Sequence, residues 1–373
     1  MVCTHLHQLV AIEAEWRALA VSQPATSYFV SPAWVLSWWQ TQGDDVQVEA
    51  GIWRDDAGRL EAVVPLARHS HRLHPSAPMT VPTWTNLGSG IGAADHCGWA
   101  ARAARIADVR DWIAAKQATG SMVLEGLDPE TGAPFVPDGG YPVASSACPR
   151  LAIPASPDEI GGSAKFRKQL RAYGRKIERL GITFRWISPT EMTTDILGTV
   201  LDLHEKRTAA AGWASMFTRE RAPLHRALIE RATAAGGPAT ILAERDGQAV
   251  AALYGFRWRE VFAYYQTGWE ADLAGANLAT VLVAQAIRLA HVDGATVFDF
   301  LRGAETYKYR FGAHDRVDET WLLPVGMGGR LLRAKYRWKQ RQAAASESTT
   351  AAAVATVNDE PARRGRELPR CAW

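Results

Sequence analysis

The stretch from residue 239 to residue 300 limits the fold more than any other part of the chain. It reads as three consecutive strands, at 239–245, 248–258 and 261–268, then an apolar helix at 276–292 and one more strand at 295–300. Asp246-Gly247 joins the first two strands as a hairpin, because this dipeptide accepts the positive φ angles of a two-residue turn. The helix stops before Asp293-Gly294, and its most apolar part, 278–290, contains Gln285 and Arg288. That part is too short to cross a bilayer and reads as a buried helix. A meander, a buried helix and a further strand make a mixed α+β unit.

The flanking segments extend this unit. Before it, Phe166, Leu170, Tyr173, Ile177 and Leu180 recur at helical spacing in a basic helix over 158–180. A strand at 182–188 and helices at 192–210 and 220–235 follow. After it come a short helix at 305–311, a strand at 316–323 and a basic helix at 328–342. The first half alternates helices (5–20, one opened by Ser31-Pro32, and 101–118) with strands (46–53, 60–67, 81–87, 121–127 and 149–153). These features predict an N-terminal lobe at 1–155 and a second lobe at 156–327. The Ala/Ser/Thr-rich and then Arg/Pro-rich segment 343–373 has few apolar anchors and is expected to be disordered.

At 47% hydrophobic and 22% charged, the 373 residues can fill a sizeable core, and a net charge of +3 does not by itself imply nucleic acid. The four cysteines, at 3, 97, 148 and 371, show no CxxC spacing. No disulfide framework or zinc site is expected, and a cytoplasmic setting is. The first residues lack a basic segment followed by an apolar run, so no signal peptide is expected. No G-x-G-x-x-G or G-x-x-x-x-G-K-[ST] occurs, which argues against dinucleotide and P-loop folds, and no G-x-S-x-G supports an acyl-serine enzyme.

Chemistry concentrates between residues 264 and 313. Small residues lead into helix 276–292, and a helix start offers backbone N–H groups to an anion. Gln266 and Thr267, with Gly275, Ala276, Asn277 and Leu278, are therefore the expected donor-binding residues, and Tyr265 and Arg302 the expected acceptor-binding ones. Asp299 lies between two phenylalanines in a strand. Asp299, Glu305 and His204 are candidate general bases. Tyr307 is a candidate proton donor to the leaving group, and Lys308 a candidate stabiliser of developing negative charge. Asp95-His96-Cys97 reads as loop, since adjacent residues rarely chelate one ion together, and His69, His71 and His74 read as a solvated loop. No metal is expected. Seven cations over 165–179 face one acid, Glu178. They read as a solvated helix face, or as a surface for tRNA or an acidic glycan.

The run YYQTGWEADLAGANLATVLVAQAIRLAHVDGATVFDFLRGAETYKYRFGA resembles the end of the acetyltransferase domain in the CelD/BcsL-like group of the GNAT superfamily. KFRKQLRAYGRKIERLGITFRWIS, LHEKRTAAAGW and ILAERDGQAVAALYGF are similar to further parts of that domain, and YFVSPAWVLSWW and VVPLARH to its N-terminal module. Where the group usually has a Ser-Pro-Gly-like turn before the buried helix, this chain has Ala274-Gly275-Ala276. Tyr307-Lys308-Tyr309-Arg310-Phe311-Gly312 resembles a short motif of the FemABX-type aminoacyltransferases, and that resemblance places Lys308 near the carbonyl of the donor ester. The resemblance implies tandem GNAT-like folds, with mixed central sheets flanked by helices. It also implies an N-acyltransferase moving an acyl group from acyl-CoA, such as acetyl-CoA, to an amine of a sugar, amino acid or metabolite. Aminoacyl-tRNA as donor, and a non-catalytic module of polysaccharide assembly, are the alternatives.

Overall fold

The computed structural model describes residues 2–23, 26–42, 46–74, 78–90, 94–212 and 215–358. In chain order the strands are β1 (Val2–Cys3), β2 (Gln47–Arg54), β3 (Leu60–Arg72), β4 (Thr80–Asn86), β5 (Ala100–Ala101), β6 (Met122–Leu127), β7 (Tyr141–Ala152), β8 (Thr183–Ile187), β9 (Gly236–Arg245), β10 (Gln248–Trp258), β11 (Val261–Trp269), β12 (Val297–Asp299) and β13 (His314–Leu323). The helices are α1 (Leu6–Val10), α2 (Glu13–Ser22), α3 (Pro32–Gln42), α4 (Ile106–Gln117), α5 (Ala164–Arg179), α6 (Thr194–Ala211), α7 (Ala222–Glu230), α8 (Leu278–Val292), α9 (Thr306–Arg310) and α10 (Gly326–Asn358). Their ends follow ordinary capping chemistry. Ser163 and Thr193 accept backbone N–H bonds at the starts of α5 and α6, and Gly212, at φ 68°, ends α6 in the left-handed region.

One sheet runs through the molecule in the order β1-β2-β3-β4-β6-β13-β7-β12-β11-β10-β9-β8, with β5 on β3. Two neighbouring pairs are parallel, β4 with β6 and β11 with β12, and each is linked through a helix, α4 or α8. The lobes exchange strands at the middle. β7, from the first half of the chain, pairs with β12, while β13, from the second half, lies between β6 and β7. A boundary near residue 155 therefore divides the chain but not the sheet. Alternation of side chains marks a strand's faces and says nothing of its neighbour.

Period-2 alternation sorts the second lobe into two layers. Ala252, Tyr254 and Phe256 of β10 face α6 and α7, whereas Ala251 and Leu253 face α5 and α8. A third cluster packs Leu332 and Tyr336 of α10 on Val81, Val123, Val143 and Leu322.

The structure departs from the sequence reading at several places. Helix 5–20 is two helices. Strand 149–153 begins at Tyr141, since two prolines masked it; Pro142 lies beside Val143, the extra residue that β7 inserts where its register with β13 shifts. His69 and His71 lie on β3 rather than in a loop. Helix continues from the expected α10 segment through 343–358, where disorder was expected. A run rich in alanine propagates a helix already nucleated by packing upstream. The remainder of that segment, 359–373, lies outside the described residues.

Candidate active site

The site is built where β11 and β12 part. The two strands pair in parallel register at Val261, Phe262 and Ala263 opposite Val297, Phe298 and Asp299. At the same point the β10–β11 ladder changes register, with Gly255 opposite Tyr264 and Tyr254 opposite Gln266, so that Tyr265 is an inserted residue. A bulge bends its strand and re-aims its side chains. Tyr265 accordingly packs on the α6–α7 side, its ring 5.1 Å from Phe256 and 6.3 Å from Phe217. Among the described residues, no strand pairs with the β12 side of β11 beyond Ala263.

Two aromatic hydroxyls span this gap. Tyr264 on β11 hydrogen-bonds Tyr307 on α9, and burial pushes both phenols up, so both remain protonated at neutral pH. Glu305 and Arg207 lie close enough to influence both phenols electrostatically. Arg207 stacks its guanidinium on Trp269, 4.6 Å from the ring centroid, and donates to the Thr267 carbonyl at 3.2 Å.

On the other flank, α6 approaches β11 so closely that a Cβ on Gly268 would lie 2.3 Å from the His204 backbone nitrogen. This glycine lets the helix seat its His204 side chain on the strand. His204 Nδ1 lies 2.9 Å from the Thr267 carbonyl oxygen, which only accepts, so Nδ1 carries the proton. Nε2 is then the acceptor, and it faces the Ser215 hydroxyl at 2.7 Å. Burial lowers the His204 pKa and favours the neutral ring. Ser215, which also accepts from the Phe217 backbone N–H at 3.0 Å, has no motif in sequence and was missed by sequence reasoning.

Several of the remaining expected site residues are already committed to contacts. Lys308 is buried, and its Nζ donates to the carbonyls of Leu301, Arg302 and Gly303 at 3.2, 2.9 and 2.9 Å and pairs with Glu305 at 2.8 Å. It clamps a turn that contains two residues with positive φ, Leu301 at 56° and Gly303 at 114°. Arg302 pairs with Asp95 at 2.9 Å, and its side chain is 46% exposed. Thr267 uses its hydroxyl on the Ala252 carbonyl at 2.7 Å. At the approach to α8, Ala276 and Leu278 are buried, Gly275 and Asn277 are exposed, and Lys176 reaches the Gly275 carbonyl.

Asp299 is fully engaged in a buried ion network that sequence reasoning did not find. His96 Nε2 lies 2.9 Å from Asp299, its Nδ1 2.8 Å from Asp318, and its backbone N–H donates to Asp318 at 2.6 Å. Arg150 reaches Asp299 at 2.5 Å, and Arg316 reaches Asp128 at 2.5 Å. Burial alone would lower the His96 pKa; Asp299 and Asp318 reverse this and raise it to about 10. Burial alone would raise Asp299, yet His96 and Arg150 hold it well below the usual carboxylate range. The Asp95-His96-Cys97 loop is thus the hub that joins the lobes, and its partners lie up to 222 residues away. His96, Cys148 and Asp318 bring ligand atoms within 4.8 Å of one another. The His96 ring nitrogens there face the Asp299 and Asp318 carboxylates.

Residues 164–309 match the model of the acetyltransferase (GNAT) domain. Among solved structures, the chain is similar to one named FemX (10% identity, TM-score 0.59, covering 87% of this chain and 98% of that one). It is also similar to the DUF2156 domain of an Agrobacterium fabrum protein named as a putative lysylphosphatidylglycerol synthetase (10% identity, TM-score 0.57, 87% and 95%). A third similar structure is a conserved protein of unknown function from Bacteroides thetaiotaomicron (12% identity, TM-score 0.55, 86% and 99%). No curated protein matches the sequence. These likenesses cover both lobes and concern the fold. The chain carries a GNAT acetyltransferase domain in its second lobe and is an acyltransferase.

Proposed function

We propose that this protein transfers an acyl group from acyl-CoA to the nitrogen of an amine at the gap between β11 and β12. The parting of these strands after Ala263 and Asp299, coincident with the bulge at Tyr265, carries the reading. It leaves one edge of β11 without a strand, and an extended chain of amides, such as a pantetheine arm, pairs with such an edge.

The residues at the β11–α8 turn fit a pyrophosphate. The chain there is small and partly exposed, Lys176 reaches over it, and Lys206 stands beside it in an ion pair with Glu270. The donor supplies an activated carbonyl carbon, and everything else falls to side chains. His204, neutral with Nε2 as acceptor, takes the Ser215 hydroxyl proton while Ser215 takes the proton leaving the amine. Tyr307 donates its phenolic proton to the departing thiolate. Glu305 attracts the cationic acceptor before it loses its proton. Asp299 and Lys308 act as positioning groups, one holding the end of β12 and the other clamping the turn that follows.

Aminoacyl-tRNA as donor is the second reading. It is favoured by a groove of about 260 Å³ between α5 and α8, lined by Arg167, Arg171, Arg175 and Arg288. Titration calorimetry separates the two. Heat on adding acetyl-CoA, unaffected by excess deacylated tRNA, supports the thioester. Saturable binding of aminoacyl-tRNA with no heat from acetyl-CoA overturns it.

A further inference from the structure

The C-terminal helix α10 carries apolar residues on two opposite faces. Leu332 and Tyr336 are buried against the first lobe's strands. At 100° per residue, Met327, Leu331, Ala334 and Trp338 fall together on the far side, within about 60° of arc. They face solvent: Met327 is 67% exposed, Trp338 46% and Leu331 39%. Arg330, Arg333, Arg337 and Arg341 line one border of this stripe, and together with Ala334 and Trp338 they line an open hollow of about 400 Å³. Residues 326–342 hold six cations and no acid. Lys335 is spent on His71 and the Arg72 carbonyl, Lys339 lies over Tyr336, and Arg333 over Tyr141. None of the four arginines takes part in an ion pair among the described residues.

We propose that this face of α10 docks on an anionic lipid surface. The occupant must be both apolar and negatively charged. A second copy of the chain would set four arginines against four. Residues 359–373, with four arginines against three acids, lack the complementary charge. A nucleic acid would meet the arginines and leave the Met327–Leu331–Trp338 stripe in water. A membrane interface takes both, because headgroup phosphates meet the guanidiniums while Trp and Leu enter the acyl boundary.

The test is co-sedimentation of the full chain with vesicles of phosphatidylcholine alone or mixed with about 30% phosphatidylglycerol. Binding to the mixed vesicles only is expected, and it should weaken at high salt. Each arginine removed near a charged bilayer costs about five-fold, so the Arg330→Gln, Arg337→Gln double variant should bind about 25-fold more weakly. Trp338→Ser should weaken binding further at either salt level. The two arginines are exposed, so circular dichroism and melting of the double variant should be unchanged; Trp338 also packs on His74 at 5.9 Å, so its vesicle binding is measured well below its own melting temperature. The proposal is overturned if the wild type ignores phosphatidylglycerol vesicles or if both variants bind them as well as the wild type. It is also overturned if the double variant loses binding to a duplex RNA while Trp338→Ser leaves vesicle binding intact.

Discussion

Replacing His96 by glutamine tests whether the buried network locks the two lobes. The magnitude follows from its charges. Four carboxylates, Asp95, Asp128, Asp299 and Asp318, are opposed by Arg150, Arg302, Arg316 and the His96 imidazolium. The amide side chain keeps the approximate shape and one donor but leaves four negative charges against three positive ones. Breaking one partner of a buried ion pair costs about 3–5 kcal/mol, and in a chain of this size each kcal/mol lowers the melting temperature by about 2 °C. A fall of about 6–10 °C at pH 7 is therefore expected by calorimetry. The pH dependence has a definite sign. His96 has a raised pKa, so its contribution is complete below about pH 6.5, the unperturbed value, and fades as pH rises through about 10. Asp299 has a lowered pKa, so its contribution is present above about pH 4 and fades in acid. The difference between wild type and His96→Gln should be full below about pH 6.5, shrink steadily as pH rises from there, and be lost once pH passes about 10. A variant that melts within about 2 °C of wild type, or an imidazole NMR resonance that titrates below about pH 8, would refute the lock.

Three further outcomes follow. Lys308→Met strips the donor from three carbonyls and should cost about 3 kcal/mol in urea unfolding, with turnover lost alongside stability. Unchanged unfolding with turnover abolished would instead give Lys308 a direct chemical part. Gly268→Ala forces α6 away from β11 and should cost at least about 1–3 kcal/mol while reducing kcat; an unaffected protein would contradict the close approach at His204. His204→Gln should lower kcat/KM by about 10²–10⁴-fold and abolish the acidic limb of the wild-type profile, which should lie below about pH 6.5 because burial lowers the His204 pKa. A persistent limb would assign the base elsewhere.

Local chemistry made much of this fold legible in sequence. The Asp246-Gly247 hairpin, the meander and the buried helix α8 all follow from residues that are neighbours in the chain. The strand exchange does not, because the pairing of β7 with β13 joins residues more than 160 apart. The site divides in the same way. Tyr307 and His204 stand out as residue types, and the structure sets one across the gap and the other beside it. Tyr264 meets Tyr307 there, while Tyr265, expected to bind the acceptor, turns to the α6–α7 side, because the bulge that re-aims the strand has no signature in sequence. Ser215 gave no signal, since its contact is with the His204 ring, and Asp95-His96-Cys97 was read as loop because the aspartates that engage His96 are supplied by both lobes. Lys308 and Asp299 were conspicuous as ionisable groups in an apolar setting, and burial with partners is what such groups require. The same residues that looked available for chemistry in the sequence therefore hold the turn and the strand end in the structure.

Photo-crosslinking with an acyl-CoA whose acyl chain carries a diazirine tests the proposed site most directly. Labelled peptides from 264–269 and 300–307, displaced by unmodified acetyl-CoA, are the expected result. Labelling confined to the first lobe, or none while the protein turns over acetyl-CoA, would contradict transfer where β11 and β12 part.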